Sequence, residues 1–309
     1  MPGYSHISVM LAEVLAALEP RPGGRYADGT VGGGGHAAAI LRASSPDGWL
    51  WGCDRDGAAI ETAGQRLAEY AGRFQLRREN FTNLAQWVES ASCDGVLLDL
   101  GVSSYQLDEA GRGFSFQQDG PLDMRQDQRQ TLTAAELVNT TGVEELARIF
   151  WEWGGERDSR RIARAIEQER QACPFETTLR LAELIERVAP RRGRRTHPAT
   201  RVFQALRIAV NHETDCLQEG LEAAVKILKP GGRLAVITFH SLEDRMVKVF
   251  GRQQCRDYAI AGDVDAPEFR QPRPPEMQWL QRKAFMPSAA EVAANPRSRS
   301  AQLRVLQKV

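Results

Sequence analysis

The sequence predicts an α/β fold, a doubly wound parallel sheet interrupted by an all-helical insertion. Three observations predict it. Short apolar segments alternate with amphipathic ones between residues 25 and 100, the pattern of strand–helix–strand units. Only helical periodicity follows between 131 and 190. A strand-like run, Arg233-Leu234-Ala235-Val236-Ile237-Thr238-Phe239, then resumes the first pattern.

Taken in order, Ile7, Val9, Met10, Leu11, Val14, Leu15 and Leu18 form an apolar helix that ends at the Pro20-to-Gly24 break. Arg25-Tyr26-Ala27-Asp28 is a first strand. It runs into Gly29-Thr30-Val31-Gly32-Gly33-Gly34-Gly35-His36, with a helix over 37–42. Trp49 to Asp54 is a second strand and 58–71 a helix. Phe74 to Arg77 and Gly95 to Leu100 are the third and fourth strands. Residues 107–130 are loop-like. Within 131–190, Thr133-x-x-Glu136 and Thr141-x-x-Glu144 have the spacing of capping boxes. Leu146, Ile149, Phe150 and Trp153 share one helix face, as do Leu181, Leu184, Ile185 and Val188. After about residue 200 a helix leads to Leu228-Lys229-Pro230-Gly231-Gly232 and the resumed strand. Segment 262–280, with four Pro, is expected to be irregular.

Composition narrows the function classes. Hydrophobic residues make up 42% of the 309-residue chain and charged residues 26%, the balance of a globular protein. No apolar run approaches the length of a membrane span, and no basic-then-apolar leader opens the chain, so a cytoplasmic location is expected. Net charge is zero, yet 35 of the 40 basic residues are Arg. Between Arg187 and His212 there are seven Arg and no acid. The tail after Glu291 is again free of acids and carries Arg297, Arg299, Arg304 and Lys308. Such local basic stretches suit a polyanion. The five Cys, at 53, 93, 173, 216 and 255, form no C-x-x-C pair. That argues against a zinc site or a disulfide framework and favours mostly buried thiols.

The glycine run after the first strand opens a helix, where free N–H groups and the dipole favour a ligand. Asp54 lies 20 residues beyond Gly34 at the end of the next strand, placed to accept both hydroxyls of a ribose. These features suit a nucleoside-containing cofactor. Gly33-x-Gly35-x-x-Ala38 also resembles a dinucleotide fingerprint. Asp28 before the glycines, Phe81 after the third strand and Asp99 at the end of the fourth favour S-adenosylmethionine instead. An acid at Asp28 suits a cationic amino-acid moiety and disfavours a pyrophosphate. Phe81 is placed to stack on adenine, or else it belongs to the core. Asp99 ends the fourth strand, where the ligand crevice should lie. His36 is expected to pack against the cofactor, His240 to end the late strand near the crevice, and Ser103 and Ser104 to cap backbone or to take a part in the site.

On these segments the chain resembles the bacterial 16S ribosomal RNA (cytosine-N4)-methyltransferases, the MraW/RsmH family. The resemblance rests on Asp28 through His36 and on Leu97-Leu98-Asp99-Leu100-Gly101-Val102-Ser103-Ser104-Tyr105-Gln106-Leu107-Asp108. It rests also on Arg112 to Phe116, Gly120 to Arg125, His197 to Ile208, Phe239 to Arg245 and Asn295 to Ala301. Tyr105 departs from the Pro of many relatives, and over 262–280 there is no firm match. The resemblance implies a class I S-adenosylmethionine-dependent methyltransferase fold. Its methyltransferase domain would be discontinuous, 1–107 and 207–309, with an inserted helical domain, 108–206, for RNA recognition. It implies methyl transfer to N4 of a cytosine near the decoding centre. Cofactor contacts would fall to Gly34, Gly35, His36, Asp54, Phe81, Asp99 and Gln106, with Asp99 also catalytic. The expected partner is small-subunit ribosomal RNA or the assembled subunit, with no membrane and no metal; a homodimer stays open. Arg191, Arg192, Arg194 and Arg195 are expected to contact phosphates, with Trp151 and Trp153 in the RNA-facing domain. The competing readings are a non-enzymatic ribosome-assembly protein, an NAD-type oxidoreductase and a DNA methyltransferase. The last is weakened because Asp99-Leu100-Gly101-Val102 stands where a Pro-Pro-aromatic signature would be.

Overall fold

The computed structural model describes residues 8–190, 196–260 and 265–309. The chain forms two compact units, Met1–Gly101 with Asp215–Val309, and Val102–Thr214. The boundaries expected after 107 and after 206 both fall inside the second unit.

The first unit is built on a seven-stranded sheet. Its strands are β1 (Arg25–Asp28), β2 (Trp49–Asp54), β3 (Phe74–Arg78), β4 (Cys93–Asp99), β5 (Leu228–Thr238), β8 (Met277–Trp279) and β9 (Gln302–Lys308). A separate antiparallel pair, β6 (Tyr258–Ile260) and β7 (Arg270–Pro272), lies between β5 and β8 in sequence. The sheet order is β3-β2-β1-β4-β5-β9-β8. The first five strands are parallel, and β9 pairs antiparallel with both β5 and β8. Because side chains alternate across a strand, each central strand feeds two cores. Val96 and Leu98 of β4, with Leu234 and Val236 of β5, face one cluster together with Leu84, Leu221 and Phe250. Leu97, Ala235 and Ile237 face the other, with Val14, Ile40 and Leu50. Burial on both faces explains why these strands read as continuous apolar runs.

Three expectations are corrected here. Segment 262–280 is not simply irregular: it contains β7 and β8, and β8 joins the main sheet. The sheet is not wholly parallel, because the C-terminal tail returns as β9. That strand was hidden by its polar letters. Arg304 is buried within it, with its Nε 2.6 Å from Asp244 Oδ1, so a charged residue occupies an inward position. Arg304 is therefore a structural cation and not available to a polyanion. Finally, Cys53 and Cys93 are buried, but Cys173 is exposed and Cys216 and Cys255 are half-buried.

The second unit is helical, with helices Ser104–Asp108, Ala134–Thr140, Val143–Glu152, Ser159–Arg170, Thr178–Val188 and Ala199–Asn211. Their apolar stripes meet in one core that includes Leu146, Phe150, Ile162, Leu181, Ile185, Val202 and Leu206. Thr133 caps its helix as expected, accepting from Glu136 N–H at 3.1 Å. Thr141 does not cap the next one: Gly142 is the N-cap residue there and no side chain caps it. Trp153 packs against this core. Among the described residues, no helix is long and apolar enough to cross a membrane.

Candidate active site at the carboxyl ends of the parallel strands

The C-terminal ends of β1, β2 and β4 place Asp28, Asp54 and Asp99 along one edge of the sheet. This is the edge where open α/β sheets bind ligands. The glycine turn between β1 and the helix Gly35–Ala43 is tied to all three strands. Gly29 N–H donates to Leu97 O at 3.0 Å, and Val31 N–H to Cys53 O at 2.9 Å. Gly32 N–H donates to Asp54 Oδ2 at 3.0 Å. Asp99 N–H donates to Thr30 Oγ1 at 2.6 Å. The turn needs left-handed backbone at Gly32 (φ 50°) and Gly34 (φ 78°), which glycine adopts without steric cost. At Gly34 a Cβ would also lie 3.1 Å from Ala63 Cα. Gly34 is the N-cap residue of the following helix, so His36 enters the site from its first turn.

Asp28, His36 and the half-buried Asp99 form a polar cluster. His36 Nε2 lies 3.6 Å from Asp99 Oδ2, an ion-pair distance too long for a hydrogen bond. Asp28 Oδ1 accepts from Thr30 N–H at 3.1 Å. Among the described residues, Asp28 Oδ2, Asp99 Oδ1 and both His36 ring nitrogens are buried without hydrogen-bond partners. Such groups are costly to bury unless something completes them. Burial pushes the Asp28 carboxyl up to about 7, opposed by the nearby His36. Burial alone favours neutral His36. Asp99, then Asp28 and Glu291, outweigh it and raise the imidazole above its ordinary value. Burial likewise raises Asp54 to about 6, against the N–H donors of Asp56 and Gly32.

The other expected site residues are placed as follows. Phe81 is buried in the core, its ring where a Cβ on Gly220 would lie 2.1 Å away. Gln106 lies in the second unit and closes a capping box: its Oε1 accepts from Ser103 N–H at 3.0 Å, and Ser103 Oγ accepts from Gln106 N–H at 3.2 Å. Ser103 is thus a helix cap. His240 is the N-cap residue of Ser241–Gln254, with Nε2 3.0 Å from Glu243 Oε1. Arg191, Arg192, Arg194 and Arg195 lie outside the described residues. Two contributors had no clear signal in the sequence. Thr30 sits unremarked within the glycine run yet holds the backbone of Asp99. Glu291, far away in sequence, lends charge to His36 and accepts from Met10 N–H at 2.5 Å.

The orphaned acceptors on Asp28 and Asp99 call for a donor, preferably cationic. Beside them is a buried imidazole disposed to be protonated, which suits a carboxylate. One end of the site therefore fits an amino-acid zwitterion, and Asp54 at the next strand fits a ribose. S-adenosylmethionine carries both.

Comparison with known proteins agrees with this chemistry. The sequence profile of the MraW methylase family matches residues 3–309. The ribosomal RNA small subunit methyltransferase H of Syntrophotalea carbinolica is 52% identical over 311 residues, covering 99% of this chain and 98% of the relative. The protein of the same name from Geotalea uraniireducens is 49% identical over 314 residues, covering 100% of each. The one from Symbiobacterium thermophilum is 50% identical over 311 residues, covering 99% and 97%. With a parallel sheet whose glycine turn and strand-end acids form this site, the chain belongs to the MraW methylase family of class I S-adenosylmethionine-dependent methyltransferases.

Proposed function

We propose that this chain methylates small-subunit ribosomal RNA, transferring the methyl group of S-adenosylmethionine to the exocyclic N4 of a cytosine near the decoding centre. The observation that carries the chemistry is the Asp28–His36–Asp99 cluster at the strand ends, with its buried polar atoms unpartnered among the described residues. The RNA substrate is carried by the near-50% identity, over full length, to proteins named for that activity. Family membership sets aside the oxidoreductase reading.

When bound, S-adenosylmethionine supplies a methyl group on a sulfonium leaving group. Asp28 and Asp99 would accept from its ammonium, and His36 would donate to its carboxylate. The Asp54 oxygens are already oriented by Gly32 and Asp56 N–H groups, and their remaining lone pairs accept from the ribose hydroxyls. Gly34 and Gly35 allow close approach of the main chain. Phe81 borders the adenine with what surface its core packing leaves, and Gln106 is included on the resemblance alone. The cytosine amine is a weak nucleophile because its lone pair is delocalised into the ring. Asp99 would accept a hydrogen bond from that amine, polarise it, and stabilise the positive charge that builds on its nitrogen. Holding nitrogen, methyl and sulfur in line supplies much of the acceleration. The target base must be out of its stack to be reached. The helical unit is the RNA-facing part, and a cytosolic location follows from the substrate.

The test is incubation with unmethylated small subunits and labelled S-adenosylmethionine, followed by digestion and nucleoside identification. Label in N4-methylcytidine is expected. Label in another nucleoside overturns the N4 assignment, and absence of label overturns the substrate.

A further inference from the structure

Helices Val143–Glu152 and Ser159–Arg170 pack against each other in the second unit. Between them opens a cavity of about 560 Å³. Arg157, Arg160, Arg161 and Arg164 line it, together with Trp151. All four arginines are exposed, and none has a carboxylate partner among the described residues. Arg148 also lines the cavity but is paired with Glu145 and Glu152. Glu144 and Asp158 are the two carboxylates in the wall, so guanidinium prevails.

Trp151 is 58% exposed. The apolar stripe of its own helix, through Leu146, Ile149 and Phe150, is already buried in the core, and Trp151 points away from it. An indole held in water on an otherwise charged helix face does nothing for this core. Its π face is available instead to another flat group.

We propose that this groove binds a single-stranded segment of the RNA substrate, with the four arginines on successive phosphates and Trp151 as a stacking platform for one base. The inference rests on the proposed RNA substrate and deepens it by naming where on the helical unit the strand is held. Alternation of guanidinium and aromatic surface matches the alternation of phosphate and base in a single strand. A duplex keeps its bases stacked and would leave the indole unused. An acidic peptide would satisfy the arginines but not the tryptophan.

The test measures binding of a labelled single-stranded oligoadenylate to the full chain over a series of salt concentrations. Replacing Arg157, Arg160, Arg161 and Arg164 by Gln is expected to reduce the slope of log affinity against log salt by about 3, given roughly 0.7 per phosphate contact on a single strand. Trp151→Ala is expected to weaken binding at least about fivefold with the slope unchanged, and Trp151→Phe to restore most of it. An unaltered helical circular-dichroism signal and melting curve in each variant show that the helical unit keeps its fold. An unchanged slope in the arginine variant overturns the proposal. So does polyglutamate competing as well as the RNA, which would make the groove a site for acidic protein. If the wild-type chain binds oligoadenylate through these residues yet leaves ribosomal RNA unmethylated, the groove stands and the proposed function fails.

Discussion

Asp99 serves the fold through its main chain and the site through its side chain. Its N–H is held by Thr30 Oγ1, whereas its Oδ1 is buried and unpartnered among the described residues. Asp99→Ala therefore removes the acceptor without removing the bond that fixes the strand end. Methyl transfer is expected to fall by about a hundredfold or more, with the thermal midpoint nearly unchanged. Label incorporation and a melting curve on the same preparation check both parts; near-normal turnover would remove Asp99 from the chemistry. Arg304 gives a contrasting case, because its charge is structural. Arg304→Ala leaves buried Asp244 with only the longer contact to Lys248 at 3.7 Å among the described residues, an arrangement expected to cost about 3 kcal/mol, the low end for a broken buried pair. Replacing both residues by Leu should recover much of that loss in a denaturant titration. Recovery by the pair but not by the single variant distinguishes a desolvated charge from lost packing.

At the scale of elements, legibility followed burial on two faces. β1, β2 and β4 and the core-facing run of β5 were readable because both faces are apolar and a glycine turn or an acid marks their ends. β8 and β9 were not. β9 has Gln302 and Gln307 toward its ends and a paired arginine inside, and β8 lies in a Pro-rich stretch. Their strand character comes from antiparallel pairing across the sheet edge, which no local pattern encodes. The site was legible to the same degree. Asp28, Asp54 and Asp99 follow from strand-end position, but Phe81 and Gln106 have structural duties that spacing does not reveal. The glycine turn offers a direct check. Gly34→Ala forces a Cβ into left-handed backbone against Ala63 and is expected to cost about 1–2 kcal/mol, read as a lowered denaturant midpoint. Gly72 has similar positive φ (81°) but open space around it. Gly72→Ala should cost only the conformational part, so a larger loss at Gly34 than at Gly72 measures the close packing of the turn.

For the whole molecule, the site makes stability depend on pH in an unusual sense. Asp28 and Asp54 are raised to about 7 and about 6, above the ordinary value of 3.8. Between pH 4 and 7 the unfolded chain has therefore lost protons that the folded chain still holds, and stability declines as pH rises through this window. His36, whose affinity for a proton is also raised by folding, acts in the same direction, since its contribution is lost as pH rises through its folded value. Asp94 and Asp123 do the opposite. Lys229, Arg25 and Arg21 hold Asp94 low and Arg125 holds Asp123 low, both against burial, so their stabilisation is present above 3.8 and lost on further acidification. The melting temperature is thus expected to peak in mildly acid solution and to fall toward pH 7. In Asp28→Asn that fall should be shallower, because one buried carboxyl no longer ionises. A cationic ligand favours ionised Asp28, so the part of S-adenosylmethionine affinity that Asp28 supplies should rise with pH over the interval in which the free protein loses stability. Loss of the His36 proton acts in the opposite direction, and Asp28→Asn separates the two. Calorimetric binding measured across that interval checks the coupling. A pH dependence left unchanged in Asp28→Asn would mean that Asp28 does not receive the ammonium, and that end of the site would have to be placed elsewhere.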